Sequence, residues 1–503
     1  MFAFAFAIVA ACTPEGGSRE LPRLPPLPPL VESAVATPGP ERALRELIVA
    51  FTASVRGEVE VCGCPTTPYG GFERRGVLFG HLRSHGVPMF AVDAGEMLVK
   101  GLTARDDSDR RVRAEAVLEL AETVGLDAWA ASPLDLLPAG PALLAAHGAL
   151  SANWVPGGSP PLLPSKVIER DGVRLGVVGL AALPDGSGGD SVATAVSAVA
   201  AAMSSSADVW VVLSNAAPEV NVAVAEQVPG LGAVLTTPGD SFDEPRSTAG
   251  APIIEVAARG RYVQVLHLFL GTDARALEMV GRGVWKDVAL ARGRAAAAGE
   301  AGAAVREEIR RDGARTARLT AGRNVLFVES VPLDGGYAPT QTEPDLEVRL
   351  RRFRERVLAG AAASVAEDRS GSYATGSACS GCHADRMASW GFDAHARAMA
   401  SLIARKEQGN PECVGCHTTG FGRPGGFAEL APERVEAFRD VQCEACHGPM
   451  RGHNGRAGVA GAPVTEHTCR GCHDEANSPK FDYELYRAKL SCVRVGNQSE
   501  PDL

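Results

Sequence analysis

Between residues 43 and 290, short apolar runs recur at intervals along the chain. They are Ile48-Val49-Ala50-Phe51, Met89-Phe90-Ala91-Val92, Leu175-Gly176-Val177-Val178-Gly179, Val209-Trp210-Val211-Val212-Leu213 and Gly232-Ala233-Val234-Leu235. Their length and lack of polar alternation predict strands covered on both faces. Longer Ala/Leu/Glu-rich patterns, such as Arg111 to Thr123 and Val192 to Met203, predict helices between them. Apolar strands alternating with helices imply an α/β domain. No glycine-rich phosphate loop follows the first strand, so a nucleotide-binding reading has no support. From 291 to 370 the pattern changes to a helical connector. Asp287 to Gly322 is Ala/Arg/Glu-rich, and Glu343 to Asp368 carries Arg349-Leu350-Arg351-Arg352-Phe353. Their charged residues read as a solvated face, not a binding site. Residues 371–503 show no long periodic pattern and predict a mainly helical, irregular domain.

The first residues add an export reading. Phe2 to Ala11 is a short apolar run ending Val9-Ala10-Ala11-Cys12, the length of a secretory h-region. That ending resembles the lipobox of bacterial lipoproteins. The resemblance implies lipidation at Cys12, a membrane attachment through that lipid, and a location in the periplasm or on the outer membrane. No Lys or Arg follows Met1. Export with Cys12 incidental is the alternative. Residues 13–42 follow as a tether, in which Thr13 to Pro40 contains eight prolines and favours an extended polyproline conformation. With 50 Lys and Arg against 60 Asp and Glu and no basic run, the net charge of −10 argues against a nucleic-acid partner.

Chemistry concentrates at the other end. Nine of the 12 cysteines and seven of the 11 histidines lie after Gly371. Four copies of one pentapeptide account for most of them. They are Cys379-x-x-Cys382-His383, Cys413-x-x-Cys416-His417, Cys443-x-x-Cys446-His447 and Cys469-x-x-Cys472-His473. This is the attachment pattern of c-type haem: two thiols one turn apart form thioethers to one porphyrin, and the adjacent histidine is the proximal iron ligand. Paired zinc knuckles do not need a histidine after every second cysteine. The expected cofactors are therefore four c-type haems. About 120 residues cannot build an adequate core unaided, so the haems are expected to serve as most of it. Their propionates favour basic redox partner proteins.

The surrounding residues resemble the tetrahaem cytochrome c-554 family from about Gly371 to Leu490. The resemblance rests on Trp390 with His395-Ala396, on Glu412-Cys413 through His417, on Val441-Gln442-Cys443-Glu444-Ala445-Cys446-His447-Gly448-Pro449 with His453, and on Ser478 to Tyr483. It implies that His453 is the distal ligand of haem 1 and His395 that of haem 3, with haem 2 on His417 five-coordinate. The family's last distal histidine is missing, because the chain reads Lys489-Leu490-Ser491-Cys492 there. Cys492, His467 or an open site are the alternatives for haem 4 on His473.

The α/β region, 43–290, resembles the metallophosphoesterase domain of secreted 5′-nucleotidases by the order of its short motifs. These include Phe51 to Gly57, Val92-Asp93-Ala94-Gly95-Glu96, Gly125 to Ala128, Ala131 to Asp135, Leu150 to Asn153, Asp171 to Gly179 and Leu213-Ser214-Asn215. The resemblance implies a four-layer α/β sandwich. Two-metal hydrolysis needs hard ligands around two cations about 3.5–4 Å apart. At the family's ligand positions this chain has Ser54, Arg56, Ser132, Asn215 and Thr237-Pro238, and only Glu96 keeps a carboxylate. A fold that has lost its dimetal site is expected.

The loop after the first strand carries Cys62-Gly63-Cys64-Pro65 and then Gly70-Gly71-Phe72-Glu73-Arg74-Arg75. Two thiols one residue apart suit one soft metal, Cu(I) or Zn, or a redox disulfide, with the arginines beside them; a structural bridge is the bland alternative. His81, His85, His147 and His267 lie singly and read as ordinary surface or core residues. The reading as a whole is an exported multihaem electron-transfer protein. Two alternatives stand beside it: a periplasmic oxidoreductase acting on a nitrogen or sulfur oxyanion at an open haem, and an active phosphoesterase.

Overall fold

The computed structural model describes residues 45–61, 68–84, 86–98, 107–155, 161–183, 191–237, 246, 248–270, 277–279, 324–339, 343–367, 373–405, 407–428, 432–453, 461–473, 478 and 480–490. Cys12, the proline-rich tether, Cys62 and Cys64, the Ala/Arg/Glu-rich stretch from Asp287 to Gly322, and Cys492 lie outside the described residues.

Two sheets form the α/β part. The first holds β1 (Arg45–Thr52), β2 (Met89–Asp93), β3 (Ala128–Trp129), β9 (Tyr262–Leu270), β10 (Leu277–Met279) and β11 (Asn324–Pro332), in the order β10-β11-β9-β1-β2-β3. The second holds β4 (Ser165–Arg170), β5 (Val173–Leu180), β6 (Val209–Ser214), β7 (Leu231–Thr236) and β8 (Ile253–Glu255) in sequence order. β1, β2 and β3 run parallel, as do β5 to β8, while β9 lies antiparallel between β1 and β11.

The two faces of β1 explain why its sequence is continuously apolar. Leu47, Val49 and Phe51 point into the space between the sheets, meeting Val177, Val211 and Leu213 of the second sheet. Ile48 and Ala50 point the other way, to a core closed by α1 (Phe72–Arg83), α2 (Asp107–Thr123) and α3 (Pro133–Ala146). A third core lies under α4 (Ser191–Ala202) and α5 (Pro218–Gln227) on the outside of the second sheet. The result is the four-layer α/β sandwich that the motif order implies, and each of the five apolar runs is a strand in it.

The connector differs from its sequence pattern. Asn324–Pro332 is β11, a strand of the first sheet, rather than part of a helical linker. The charged helix α6 (Pro344–Glu367) does form where its pattern predicts, but one side of it is core. Leu346, Leu350, Phe353 and Val357 are buried against α1 and α2. Arg349 pairs with Glu119 at 3.3 Å and Arg356 with Glu115 at 2.5 Å. Its last turns then pass Leu358 and Ala361 into the apolar cluster of the C-terminal part. One helix thus belongs to both cores, and it joins the two parts by packing rather than by a tether.

The C-terminal part has short helices: α7 (Gly376–Cys379), α8 (Ala384–Trp390), α9 (Ala398–Ile403), α10 (Pro411–His417), α11 (Pro432–Phe438), α12 (Cys443–His447), α13 (Glu466–Arg470) and α14 (Tyr483–Lys489). No strand occurs among its described residues, in keeping with the mainly helical, irregular expectation. No helix among the described residues is long and apolar enough to cross a membrane.

Candidate functional site

Each pentapeptide lies on or beside a helical turn, which puts residues i, i+3 and i+4 on one face. That turn is visible in the backbone, where His383 N–H donates to Cys379 O at 2.9 Å and His473 N–H to Cys469 O at 2.8 Å. None of the eight motif cysteines is in a disulfide among the described residues. Each motif therefore presents two thiols and an imidazole to the same side, the donor set that a covalently attached haem needs.

Two imidazole pairs give a sharper test of whether these residues fit haem iron. A metal held by two imidazoles has bonds of about 2.0 Å on each side, which leaves ring centres about 6 Å apart. The rings of His383 and His453 lie 6.4 Å apart with planes 11° from parallel. Those of His395 and His473 lie 6.0 Å apart at 65°. The residues fit bis-histidine iron at both places. His453 lies beside His383 of the first motif and His395 beside His473 of the fourth, whereas the resemblance sets His395 opposite the third. Sequence order alone hides this, because the chain from 395 to 473 folds back through three motifs.

Hydrogen bonds orient the rings. His417 Nδ1–H donates to Ala398 O at 2.7 Å, with Ser401 Oγ at 3.2 Å, which leaves Nε2 free to ligate. His473 Nδ1 pairs with Ser478 Oγ at 2.8 Å, and its ring stacks on Phe481 with centroids 5.1 Å apart. Burial pushes the His395 pKa down, favouring the neutral ring that binds a metal. His453 is partly buried and its Nδ1 has no hydrogen-bond partner among the described residues.

The attachment sites adjoin in pairs. The Cys379 thiol, pushed up in pKa by burial, hydrogen-bonds to Cys443, so the first and third motifs touch. His395 feels the charge of His417 while it faces His473, which places the second and fourth motifs side by side. The stretch from Val441 to Glu444 is the polar hub beneath them. Buried Glu444 accepts from Ala374 N at 2.9 Å, Thr375 N at 3.1 Å and Met450 N at 2.7 Å. Gln442 accepts from Gly376 N at 2.6 Å and donates to Ala437 O and Arg439 O. Trp390 Nε1 donates to Val441 O, and Val441 N to His395 O. The sequence marks this stretch as distinctive without giving its role.

In the α/β part, the residues aligned with the phosphoesterase ligands lie at the strand ends of the sandwich, where Ser54, Arg56 and Glu96 bind one another and Ser132 and Asn215 bind backbone groups. Ser54 Oγ donates to Glu96 Oε2 at 2.9 Å, and Arg56 pairs with the same oxygen at 3.1 Å. Ser54, Arg56 and Glu96 all have positive φ, of 48°, 53° and 55°, an uncommon backbone state kept here by the interleaved bonds Ser54 N to Gly95 O and Arg56 N to Glu96 O. Ser132 caps α3 by accepting from Leu134 N. Asn215 donates to Ala94 O and Ala131 O, each at 3.0 Å, and accepts from Ala182 N at 2.8 Å. Gly95 is obligatory between them, since a Cβ there would lie 2.6 Å from Ala130 O. Among the described residues, no group of three or more His, Cys, Asp or Glu is placed to hold a metal.

Two buried acids beneath this cluster carry no role in the sequence reading. Asp93 bonds Thr52 Oγ1 and Gly95 N, and burial pushes its pKa up to about 6. Asp135, in the first turn of α3, accepts from Glu96 N and Leu98 N. Burial pushes its pKa up to about 7, helped by the charges of Asp93 and Glu96. Arg75 is fully buried near Asp93, and burial pulls its pKa down to about 10. Of the lone histidines, His147 pairs with Glu122 at 2.6 Å and His267 is buried 3.6 Å from Glu329; His85 lies outside the described residues.

Residues 378–448 match the family model described as cytochrome c554 and c-prime, a span that holds the first three attachment motifs. The chain is 38% identical over 92 residues to cytochrome c-554 of Nitrosomonas europaea, covering 15% of this chain and 38% of that protein. Among solved structures, a 5′-nucleotidase precursor from Thermus thermophilus is similar with a TM-score of 0.43 and 16% identity, over 62% of this chain and 59% of that one. The sulfate thiohydrolase SoxB of Thermus thermophilus has a TM-score of 0.43 and 15% identity, over 63% of this chain and 62% of that one. The calcineurin-like phosphoesterase YfkN from Bacillus subtilis has a TM-score of 0.42 and 14% identity, over 63% of this chain and 99% of that one. Residues 378–448 are thus similar to cytochrome c554, and the match spans well under two thirds of that relative's length.

Proposed function

We propose that this protein is an exported c-type cytochrome that moves electrons through four covalent haems, with an α/β domain that no longer holds two catalytic metals. The observation that carries the reading is the pair of imidazole couples at 6.4 and 6.0 Å, each built on an attachment motif. A bound c-type haem supplies an iron that cycles between the ferric and ferrous states, one electron at a time. The chain's own residues do the rest. The motif thiols fix each group in place, and His383 with His453 and His395 with His473 supply opposed imidazoles that favour electron transfer over substrate binding. Ala398 O, which can only accept, holds the His417 ring in one tautomer, and Ser478 Oγ bonds the His473 ring at Nδ1. The Cys379–Cys443 contact and the His417–His395–His473 neighbourhood support short steps between sites.

Loss of the dimetal site is supported by the Arg56 guanidinium on Glu96 and by the full use of Asn215 in backbone bonds. The guanidinium sits on the one carboxylate kept at a ligand position and puts a cation where a metal would be held. Lipidation at Cys12, a periplasmic or outer-membrane location, basic redox partners and a soft metal at Cys62 and Cys64 are parts of the same proposal that rest on sequence alone. A reductive titration of the matured protein tests the central part. Uptake of four electrons per chain, with bis-histidine low-spin spectra for at least two haems, is expected. Uptake of two electrons or fewer contradicts it.

A further inference from the structure

The histidines of the C-terminal part can be assigned one by one. Seven follow Gly371, and four of them belong to the attachment motifs. His453 faces His383 and His395 faces His473. Only His467 remains. It lies exposed on α13, two residues before Cys469, a spacing that puts the two side chains about 200° apart around a helix. Among the described residues His467 has no ring or hydrogen-bond partner. The second and third motifs, on His417 and His447, therefore share no further histidine that the structure has placed opposite them.

Resemblance alone already leaves His417 without a partner. The third motif is a different matter, because resemblance gives it His395 and leaves the fourth motif short. The geometry reverses that order. We infer that the third motif, Cys443, Cys446 and His447, is the second open site of the protein, and that a small neutral ligand such as carbon monoxide or nitric oxide reaches it from solvent. This rests on the tetrahaem reading above.

The surroundings of His447 agree. The residue is exposed, unlike the partly buried His395 and His473. Its carbonyl accepts from Ala462 N at 2.8 Å, so the segment from Gly461 covers its backbone rather than the far side of its ring. Among the described residues Met450 offers a thioether sulfur nearby, but on the wrong flank. A Cβ added to Gly461 would lie 2.9 Å from His447 Cβ and 3.0 Å from Met450 Sδ, which places the sulfur beside the base of the side chain. An axial partner has to lie beyond Nε2, across the iron.

Binding stoichiometry tests this on the full-length, matured protein. Haem content by pyridine haemochrome and intact mass comes first; fewer than four haems per chain would defeat the tetrahaem reading itself, separately from this inference. Given four, the reduced protein is titrated with carbon monoxide. Two molecules bound per chain are expected, with two high-spin centres in the ferric state. One bound per chain would overturn the inference, and His467→Ala or Cys492→Ser restoring a second would name the residue that closes the third site. Ser478→Ala then decides between the third and fourth motifs. It removes the bond to His473 Nδ1, so it should shift one low-spin signal and leave both carbonyl stretching bands unmoved. A displaced carbonyl band would put the second open site on His473 and contradict the assignment.

Discussion

The two halves of this chain reach a folded state by different means. The α/β part buries three large apolar clusters, and β1, β5, β6 and β7 are dry on both faces. Among its described residues the C-terminal part buries one small cluster, of Ala361, Met399, Leu402, Val414, Phe421, Phe427 and Phe438. Its helices run four to seven residues, too short to be stable by themselves, and Phe392 is 82% exposed. What organises it instead is a polar hub at Gln442 and Glu444, together with, on the proposed reading, motif side chains that converge on covalent groups. An apolar core specifies a fold through area; a cofactor core specifies it through a few ligands and the hydrogen bonds that aim them.

The largest expected effect breaks one half and spares the other. Protein produced without haem attachment should lose the C-terminal fold, read as the disappearance of its protected amides in hydrogen exchange, while the amides of β1, β5 and β6 stay protected. Comparable protection of both halves in haem-free protein would remove the contrast. Glu444→Ala comes next. It strips three partly buried N–H groups of a carboxylate acceptor, and charge-assisted bonds contribute about 1.5–3 kcal/mol each before relaxation. We expect the C-terminal part to be destabilised by about 3 kcal/mol in denaturant melts, with the α/β transition unmoved.

Acidity sharpens the comparison from the other side. Asp135 and Asp93 have pKa values raised by burial, to about 7 and about 6. The folded state therefore holds more protons than the unfolded chain between the ordinary carboxylate range and those values. Their contribution to stability is complete below about pH 4 and is lost as pH rises through 6 and 7. The α/β transition should show that loss, and Asp135→Asn should flatten its upper part. A slope that Asp135→Asn leaves unchanged would assign the effect elsewhere. Arg56→Ala has the smallest expected effect. The Arg56–Glu96 pair is partly exposed, so its removal should cost less than about 1 kcal/mol and should not produce manganese-dependent phosphoesterase turnover.

Much of the sandwich was legible because strands buried on both faces leave unbroken apolar runs, as at Ile48–Phe51 and Val209–Leu213. β11 was not legible. Asn324–Pro332 mixes Asn, Glu and Ser with its apolar residues and lies beyond a long helical-looking stretch, so only its long-range pairing with β9 makes it a strand. The haem ligands divide in the same way. The histidine of each attachment motif follows its second cysteine directly, so local spacing alone marks it. The partner of His395 depends on how the chain returns from 395 to 473, which no spacing records. Glu444 and Asp135 were visible as residues, but the backbone groups they bind come from segments up to 70 residues away.

The most direct test counts metals and covalent haems on one preparation of the full-length chain matured by a c-haem assembly system. Four thioether-linked haems by intact mass and four iron atoms per chain, with no manganese or zinc retained by the α/β part, are the predicted result. Fewer than four haems, or four iron accompanied by two further metal ions that Arg56→Ala does not affect, would contradict the account of both halves.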